Sequence, residues 1–312
     1  MTAFGPKVSL IICTRNRAEI LYRCLEAVKV AAGKLESFTV EVIVVDNGSV
    51  DRTRKVVAEW AQDAQLQVFL VSELKPGLGA ARNAGLAAAK APILAFTDDD
   101  CLVDENYFLD ILAYFEKTEK LSIVGGRVEL GDPIDIPYTI KTDRAENDFD
   151  LETCYPGIFL LGANMALHAD IIRTVGKFDE RFGAGSPFRA AEETDFIFRA
   201  ALAGISVKYT PTFFVYHFHG RKTKKLVRRL CYGYAIANGA LYMKYYKLAG
   251  GNILFRYFFQ HLRSAAHEII RGKSLLESEL GISYSLIVTG NIHGMILYLY
   301  DTGISYFFRR EK

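Results

Sequence analysis

The chain has 312 residues, half of them hydrophobic and 24% charged, with 25 Gly and 8 Pro. Such a composition supports a sizeable buried core and excludes disordered, collagen-like and low-complexity proteins. The net charge of +2 conceals an asymmetry: residues 221–312 carry 15 Lys or Arg against 5 Asp or Glu, whereas residues 1–220 carry 23 against 31. An acidic body joined to a basic tail suggests an anionic membrane surface or a nucleic acid. No nucleic-acid recognition motif is found, so nucleic acid is not an expected partner.

The five cysteines, Cys13, Cys24, Cys101, Cys154 and Cys231, form no C-x-x-C pair. A disulfide framework or zinc site is therefore not expected, and a reducing compartment fits. No basic segment followed by an apolar stretch opens the chain, so no secretory leader is expected.

In chain order, Val8 to Cys13 is a short apolar strand and Ala18 to Ala32 a helix. Val40 to Val45 is a strand and Asp51 to Ala64 a helix. Gln67 to Val71 is a strand, Gly79 to Lys90 an alanine-rich helix, and Ile93 to Thr97 a strand that runs into three aspartates. Continuous apolar strands alternating with helices predict βαβ units in a parallel sheet covered on both faces. Ser122 to Val128 is a further strand. Residues 131–157, rich in Pro, Asp and Thr, form a long excursion. Ala163 to Leu167 is a short apolar stretch, Glu192 to Ala203 a helix, and Val207 to Tyr216 strand material. A boundary near residue 220 separates an α/β domain, 1–220, from a helical region, 221–312.

In open α/β sheets, ligands bind beyond the carboxyl ends of the strands. Three polar clusters sit there: Thr14-Arg15-Asn16-Arg17, Asp46-Asn47-Gly48-Ser49 and Asp98-Asp99-Asp100. Residues i and i+2 of an extended segment point the same way, so Asp98 and Asp100 can share one site. Two neighbouring carboxylates repel, and a hard divalent cation, Mn²⁺ or Mg²⁺, relieves the repulsion. Gly77 to Gly85 opens a helix, with glycines that permit close backbone approach and with Arg82 and Asn83 inside it. Glu192-Glu193-Thr194-Asp195 supplies either a general base or acids suited to a helix N-terminus. His217-Phe218-His219 offers one metal ligand, and Arg221 can neutralise a diphosphate.

Together these motifs resemble the family-2 glycosyltransferases of the glycosyltransferase A fold. The resemblance is carried by Val8 to Arg17, Val45-Asp46-Asn47-Gly48-Ser49, Gly79 to Gly85, Asp98-Asp99-Asp100 and Gly125-Gly126-Arg127. It continues through Gly162-Ala163-Asn164-Met165, Phe178 to Phe182, Glu192 to Asp195 and Tyr216 to His219, over about residues 7–220. It implies an α/β fold: a Rossmann-like, mostly parallel sheet flanked by helices, followed by a C-terminal helical region. It implies that Thr14, Arg15 and Asp46 contact the base and ribose of a nucleotide-diphosphate sugar, with Arg82 near the base or phosphates. Asn16, Arg17, Asp99 and Arg221 join that nucleotide-sugar site. Asp98 lies at the ribose or metal, Asp100 holds Mn²⁺ or Mg²⁺, and His219 assists. Gly162, Ala163 and Asn164 border the sugar and acceptor. The catalytic base is Glu193 or Glu192; the family usually has Glu-Asp where this chain has Glu-Glu, which leaves the choice open. The implied reaction is an inverting transfer to a glycan or lipid-linked acceptor. A sugar-phosphate nucleotidylyltransferase and a non-catalytic scaffold are the alternatives.

In the tail, Arg221 to Arg229 holds six basic residues. Val227, Leu230, Tyr234, Ala237, Leu241, Tyr245 and Leu248 then recur at helical spacing. The stripe suits an anionic membrane, a homodimer contact or packing against the first domain. The length of Leu280 to Tyr300 permits a membrane-spanning helix, and its polar groups argue against one. The expected location is cytoplasmic, peripheral on the inner membrane face.

Overall fold

A computed structural model describes residues 5–36, 38–118, 120–248, 251–271, 280 and 282–303. The first half builds the expected βαβ units: β1 (Val8–Thr14), α1 (Ala18–Ala32), β2 (Val40–Asp46), α2 (Thr53–Asp63), β3 (Gln67–Ser72), α3 (Leu78–Ala88) and β4 (Ile93–Asp98). β1 to β4 pair in parallel, in the order β3-β2-β1-β4. Their apolar runs are buried on both faces. Leu10, Ile12, Val42 and Val44 meet Leu21, Leu25, Val57 and Trp60 of α1 and α2. Ile11, Ile43, Val45 and Phe96 face the opposite layer, which includes Ala81 of α3. The period of two thus divides each strand between two cores.

The second half departs from a purely parallel sheet. After β5 (Cys101–Val103), α4 (Tyr107–Glu116) and β6 (Ser122–Leu130), the excursion contains only the two-residue β7 (Asn147–Asp148) and α5 (Pro156–Phe159). Next come β8 (Asn164–His168), α6 (Ile171–Val175), α7 (Glu192–Leu202) and β9 (Ser206–His217). β8 inserts antiparallel between β4 and β6, and β9 pairs parallel with β6 and antiparallel with β5. Among the described residues, nine strands form one sheet.

Register brings the site together. Thr14 is level with Asp46, Cys13 with Asp98, and Asp46 with Ser72, so the polar clusters leave one edge side by side. α3 lies close on this sheet because a Cβ at Gly85 would be 2.5 Å from Ile11 Cγ2. Gly77 precedes the helix at φ +133°, a conformation other residues rarely adopt.

The tail is α8 (Lys224–Lys244), α9 (Gly251–Arg271) and α10 (Tyr284–Thr302). Thr223 caps α8 by accepting from Leu226 N. Packing against residues of the first 220 accounts for most of the stripe: Tyr234, Ala237, Leu241 and Tyr245 share a core with Phe182, Phe188 and Phe198, and Val227 packs with Ile136 and Tyr138. Leu248 lies outside it, 54% exposed. Lys244 adds an ion pair to Asp179 at 2.9 Å and another to the fully buried Asp195, which also accepts from Tyr245 Oη at 2.6 Å. No helix among the described residues is long and apolar enough to cross a membrane. All five cysteines are unpaired thiols.

α8 and α10 cross where Gly239 faces Asn291 and Gly294 faces the Ile236 carbonyl, and a Cβ at either glycine would overlap the opposing backbone. Gly294→Val should therefore lower unfolding stability by about 1–3 kcal/mol in denaturant titration. A midpoint equal to wild type would mean that the helices do not meet there.

Candidate active site

At the strand ends lies a cleft of about 380 Å³. Thr14, Arg15 and Arg17 enter it from the end of β1, Asn47 from β2, and Asp98, Asp99 and Asp100 from β4. His217 and Arg221 close it from the end of β9. Thr14 Oγ1 donates to Asp99 Oδ2 at 2.7 Å. Arg17 Nη1 bridges Asp99 at 2.7 Å and Asp100 at 2.9 Å. Asp99 therefore turns towards Thr14 and Arg17, while Asp98 stays partly open to the cleft.

The electrostatics separate the carboxylates. Burial raises the Asp98 carboxyl, and the neighbouring Asp100 charge adds to the rise. Burial pushes Asp99 up to about 6 despite Arg17. Burial also acts on Asp100, but His217 and Arg17 outweigh it and bring that carboxyl down to about 2. Among the described residues, Asp100, Cys101 and His217 are the group able to hold a metal ion. Burial keeps the Cys101 thiol protonated, which leaves the carboxylate and the imidazole as the donors. Asp100 Oδ1 is 3.2 Å from His217 Nε2, out of line for a hydrogen bond.

A second cavity, of about 510 Å³, lies on the other side of α7's first turn. Glu193 and Thr194 line it, with Tyr138 and Lys141 from the excursion, Tyr155 beside α5, Tyr234, Asn238 and Tyr242 from α8, and Tyr257 and His261 from α9. Arg82 stands at the boundary between the two spaces. Its guanidinium is 2.8 Å from Glu192 Oε1, 3.8 Å from Asp98 Oδ1 and donates to the Gly162 carbonyl at 3.1 Å. It packs over Phe96 and Phe178. Glu192 is thus committed to Arg82, whereas Glu193 opens onto the cavity. Burial, and then the Glu192 charge, raise the Glu193 carboxyl to about 8, with Arg82 opposing. Once ionised, a group with that proton affinity is a stronger proton acceptor than an ordinary carboxylate.

Several expected contacts fall elsewhere. Asn16 is left-handed (φ +55°); its N–H donates to Ser49 Oγ and its Oδ1 accepts from Val50 N. It ties the turn after β1 to the turn after β2. Asp46 is 1% exposed, accepting from Ser49 N and pairing with Arg54 at 3.3 Å, while Asn47 is the β2 residue on the cleft wall. Gly162 and Ala163 present backbone carbonyls to Arg82 and Thr97. Asn164 is fully buried, accepting from Tyr107 Oη and donating to the Arg127 carbonyl, because its position on β8 points into the core. His219 faces Asp135 at 3.3 Å; His217 is the histidine beside Asp100. Asp135, Tyr138, Tyr155, Tyr242 and Tyr257 were not singled out from the sequence, and Tyr234 only as part of a helical stripe. Asp135 sits in an aperiodic loop, and Tyr155 and Tyr257 lie about a hundred residues apart along the chain.

The sequence profile of glycosyl transferase family 2 matches residues 9–174, just over half the chain. The chain belongs to glycosyl transferase family 2. Glycosyltransferase AglE of Haloferax volcanii is 29% identical over 185 residues, 59% of this chain and 60% of its own length. Validoxylamine A glucosyltransferase of Streptomyces hygroscopicus is 37% identical over 112 residues, 36% of this chain and 26% of its own. The chain thus spans about 60% and about a quarter of these relatives. Among solved structures, the mannosyltransferase PcManGT of Pyrobaculum calidifontis, in complex with GDP-Man and Mn²⁺, matches with a TM-score of 0.63 at 17% identity. The match covers 96% of this chain and 88% of that one. S. aureus TarS 1–349 in complex with UDP-GlcNAc matches with a TM-score of 0.59 at 15% identity, over 95% and 92%. These likenesses establish the shared fold.

Two predictions follow from the Arg82 boundary. Arg82 and Glu192 side chains are both 4% exposed, so Arg82→Met strands a buried carboxylate and should cost about 3–5 kcal/mol in denaturant titration; adding Glu192→Gln should recover part of it. For Glu193, the unfolded carboxyl loses its proton near 4.5 and the folded one near 8. The folded state holds the extra proton between these values, so stability falls as pH rises through that window. Glu193→Gln removes this contribution, and its melting temperature should gain on wild type from pH 5 to pH 8. Parallel curves would contradict the raised pKa.

Proposed function

We propose that the chain transfers a sugar from a nucleotide-diphosphate sugar to an acceptor hydroxyl, with inversion at the anomeric carbon. The observation that carries this reading is the juxtaposition of two spaces. A cleft with aspartates and arginines adjoins a cavity onto which a carboxylate of raised pKa opens, and Arg82 stands between them. Family membership and the nucleotide-sugar ligands of PcManGT and TarS support the donor class.

Asp98, Asp100 and His217 fit a divalent cation, Mn²⁺ or Mg²⁺. Asp100 Oδ1 is buried without a hydrogen-bond partner among the described residues, and the Asp98 and Asp100 charges oppose each other. When bound, such an ion neutralises the diphosphate that departs. Arg17 and Arg221 add positive charge to the same cleft. Glu193 accepts the proton of the acceptor hydroxyl. The hydroxyl oxygen bonds to the anomeric carbon from the face opposite the diphosphate. The bond from that carbon to the β-phosphate oxygen breaks, and its electron pair leaves with the nucleoside diphosphate. Arg82 pairs with Glu192 and fixes the first turn of α7, so that Glu193 keeps its place.

The test is a panel of UDP-, GDP- and dTDP-sugars with Mn²⁺, Mg²⁺ or EDTA, with released nucleotide recorded. One donor should turn over, and EDTA or Asp100→Ala should abolish the release. Glu193→Gln should lower transfer kcat by about a hundredfold. Normal kcat in that variant would remove Glu193 from the base role.

A further inference from the structure

We propose that the tyrosine-lined cavity is the acceptor subsite and that it takes a neutral saccharide, with the C-terminal helices supplying much of its wall. The inference rests on the transferase reading above and names the substrate class of that site.

Its chemistry is set by what lines it. Tyr138, Tyr155, Tyr234, Tyr242 and Tyr257 face the cavity from the excursion, α5's entry, α8 and α9. Aromatic faces carry partial negative charge and pack against the C–H faces of sugar rings, while phenolic and amide groups can meet the hydroxyls. The volume of about 510 Å³ lies within the range of about 300–1,000 Å³ usual for small-ligand sites.

The charges argue against an anionic acceptor. Lys141, the one lysine or arginine on this wall among the described residues, is paired with Asp143 at 2.7 Å. A phosphate here would meet no uncommitted lysine or arginine on the wall among the described residues. Burial lowers the His261 pKa and keeps that ring neutral.

A second observation points to a missing partner. Tyr242 is 0% exposed, lines the cavity, and its hydroxyl has no hydrogen-bond partner among the described residues. A buried, unsatisfied hydroxyl is costly in the free protein. A hydroxyl of a bound sugar would satisfy it. Tyr155 Oη already donates to Asn238 Oδ1 at 2.6 Å, which fixes that ring in the wall.

The experiment uses the full chain and the donor identified above. Neutral disaccharides (cellobiose, lactose, maltose, chitobiose) are compared with undecaprenyl phosphate in detergent as accelerators of nucleotide release. At least one disaccharide should accelerate release saturably. Stimulation by the lipid phosphate alone, or by no disaccharide while donor hydrolysis proceeds, would overturn the proposal. Absence of donor hydrolysis altogether would instead mark failure of the transferase reading. Tyr242→Phe should raise the acceptor KM about fivefold to tenfold, the worth of one hydrogen bond, while the melting temperature holds or rises. An unchanged acceptor KM would make Tyr242 a packing residue and remove it from the subsite. The exposed Phe259→Ser on α9 serves as the control and should leave KM at the wild-type value.

Discussion

The arrangement of this molecule turns on the guanidinium of Arg82. It is buried on the third helix, over two aromatic rings, and reaches Glu192, Asp98 and the Gly162 carbonyl at once. A buried cation is tolerable only if its charge is met, and here three separate segments meet it. The same contacts hold the strand that ends in aspartates, the loop entering β8 and the first turn of α7 at fixed distances. Glycines make this possible: Gly85 lets α3 settle on β1 and β2, and Gly79 lets it pass the backbone at Asp179 to Phe182.

The two adjacent carboxylates at the start of α7 illustrate how one sequence feature divides into two roles. Glu192 faces Arg82 and is neutralised by it. Glu193, one residue on, emerges on another side of the helix and lines a cavity, with no ion pair of its own among the described residues. A helix turns about 100° per residue, so neighbours cannot share a surroundings. Desolvation then acts on the unpaired member and raises its proton affinity.

The basic tail is joined to the first 220 residues by apolar contacts and by Lys244, whose partners are Asp179 and Asp195. Its first helix therefore does structural service on one face and contributes Tyr234, Asn238 and Tyr242 to a cavity on another. Residues 131–157 have no periodicity because they follow the surface of this assembly, supplying Tyr138, Thr139 and Lys141 to the wall and Asp135 to His219.

Local pattern by itself determined the strands and helices of the first hundred residues. A strand buried on both faces must be apolar throughout, and its polar end must lie at the sheet edge, so Thr14, Arg17 and Asp98 to Asp100 were legible as neighbours. The insertion of β8 antiparallel to β4 was not legible, since a five-residue apolar run reads the same in either direction. Nor could sequence separate Glu192 from Glu193, or His217 from His219, because each choice depends on which way a side chain points after distant segments have packed. Asn16 and Asn164 sit in the right motifs yet turn away from the cleft, one through a left-handed backbone and one through the inward face of its strand. The tyrosine cavity was beyond reach altogether: its walls come from segments far apart in the chain, and only tertiary packing brings their rings to one space.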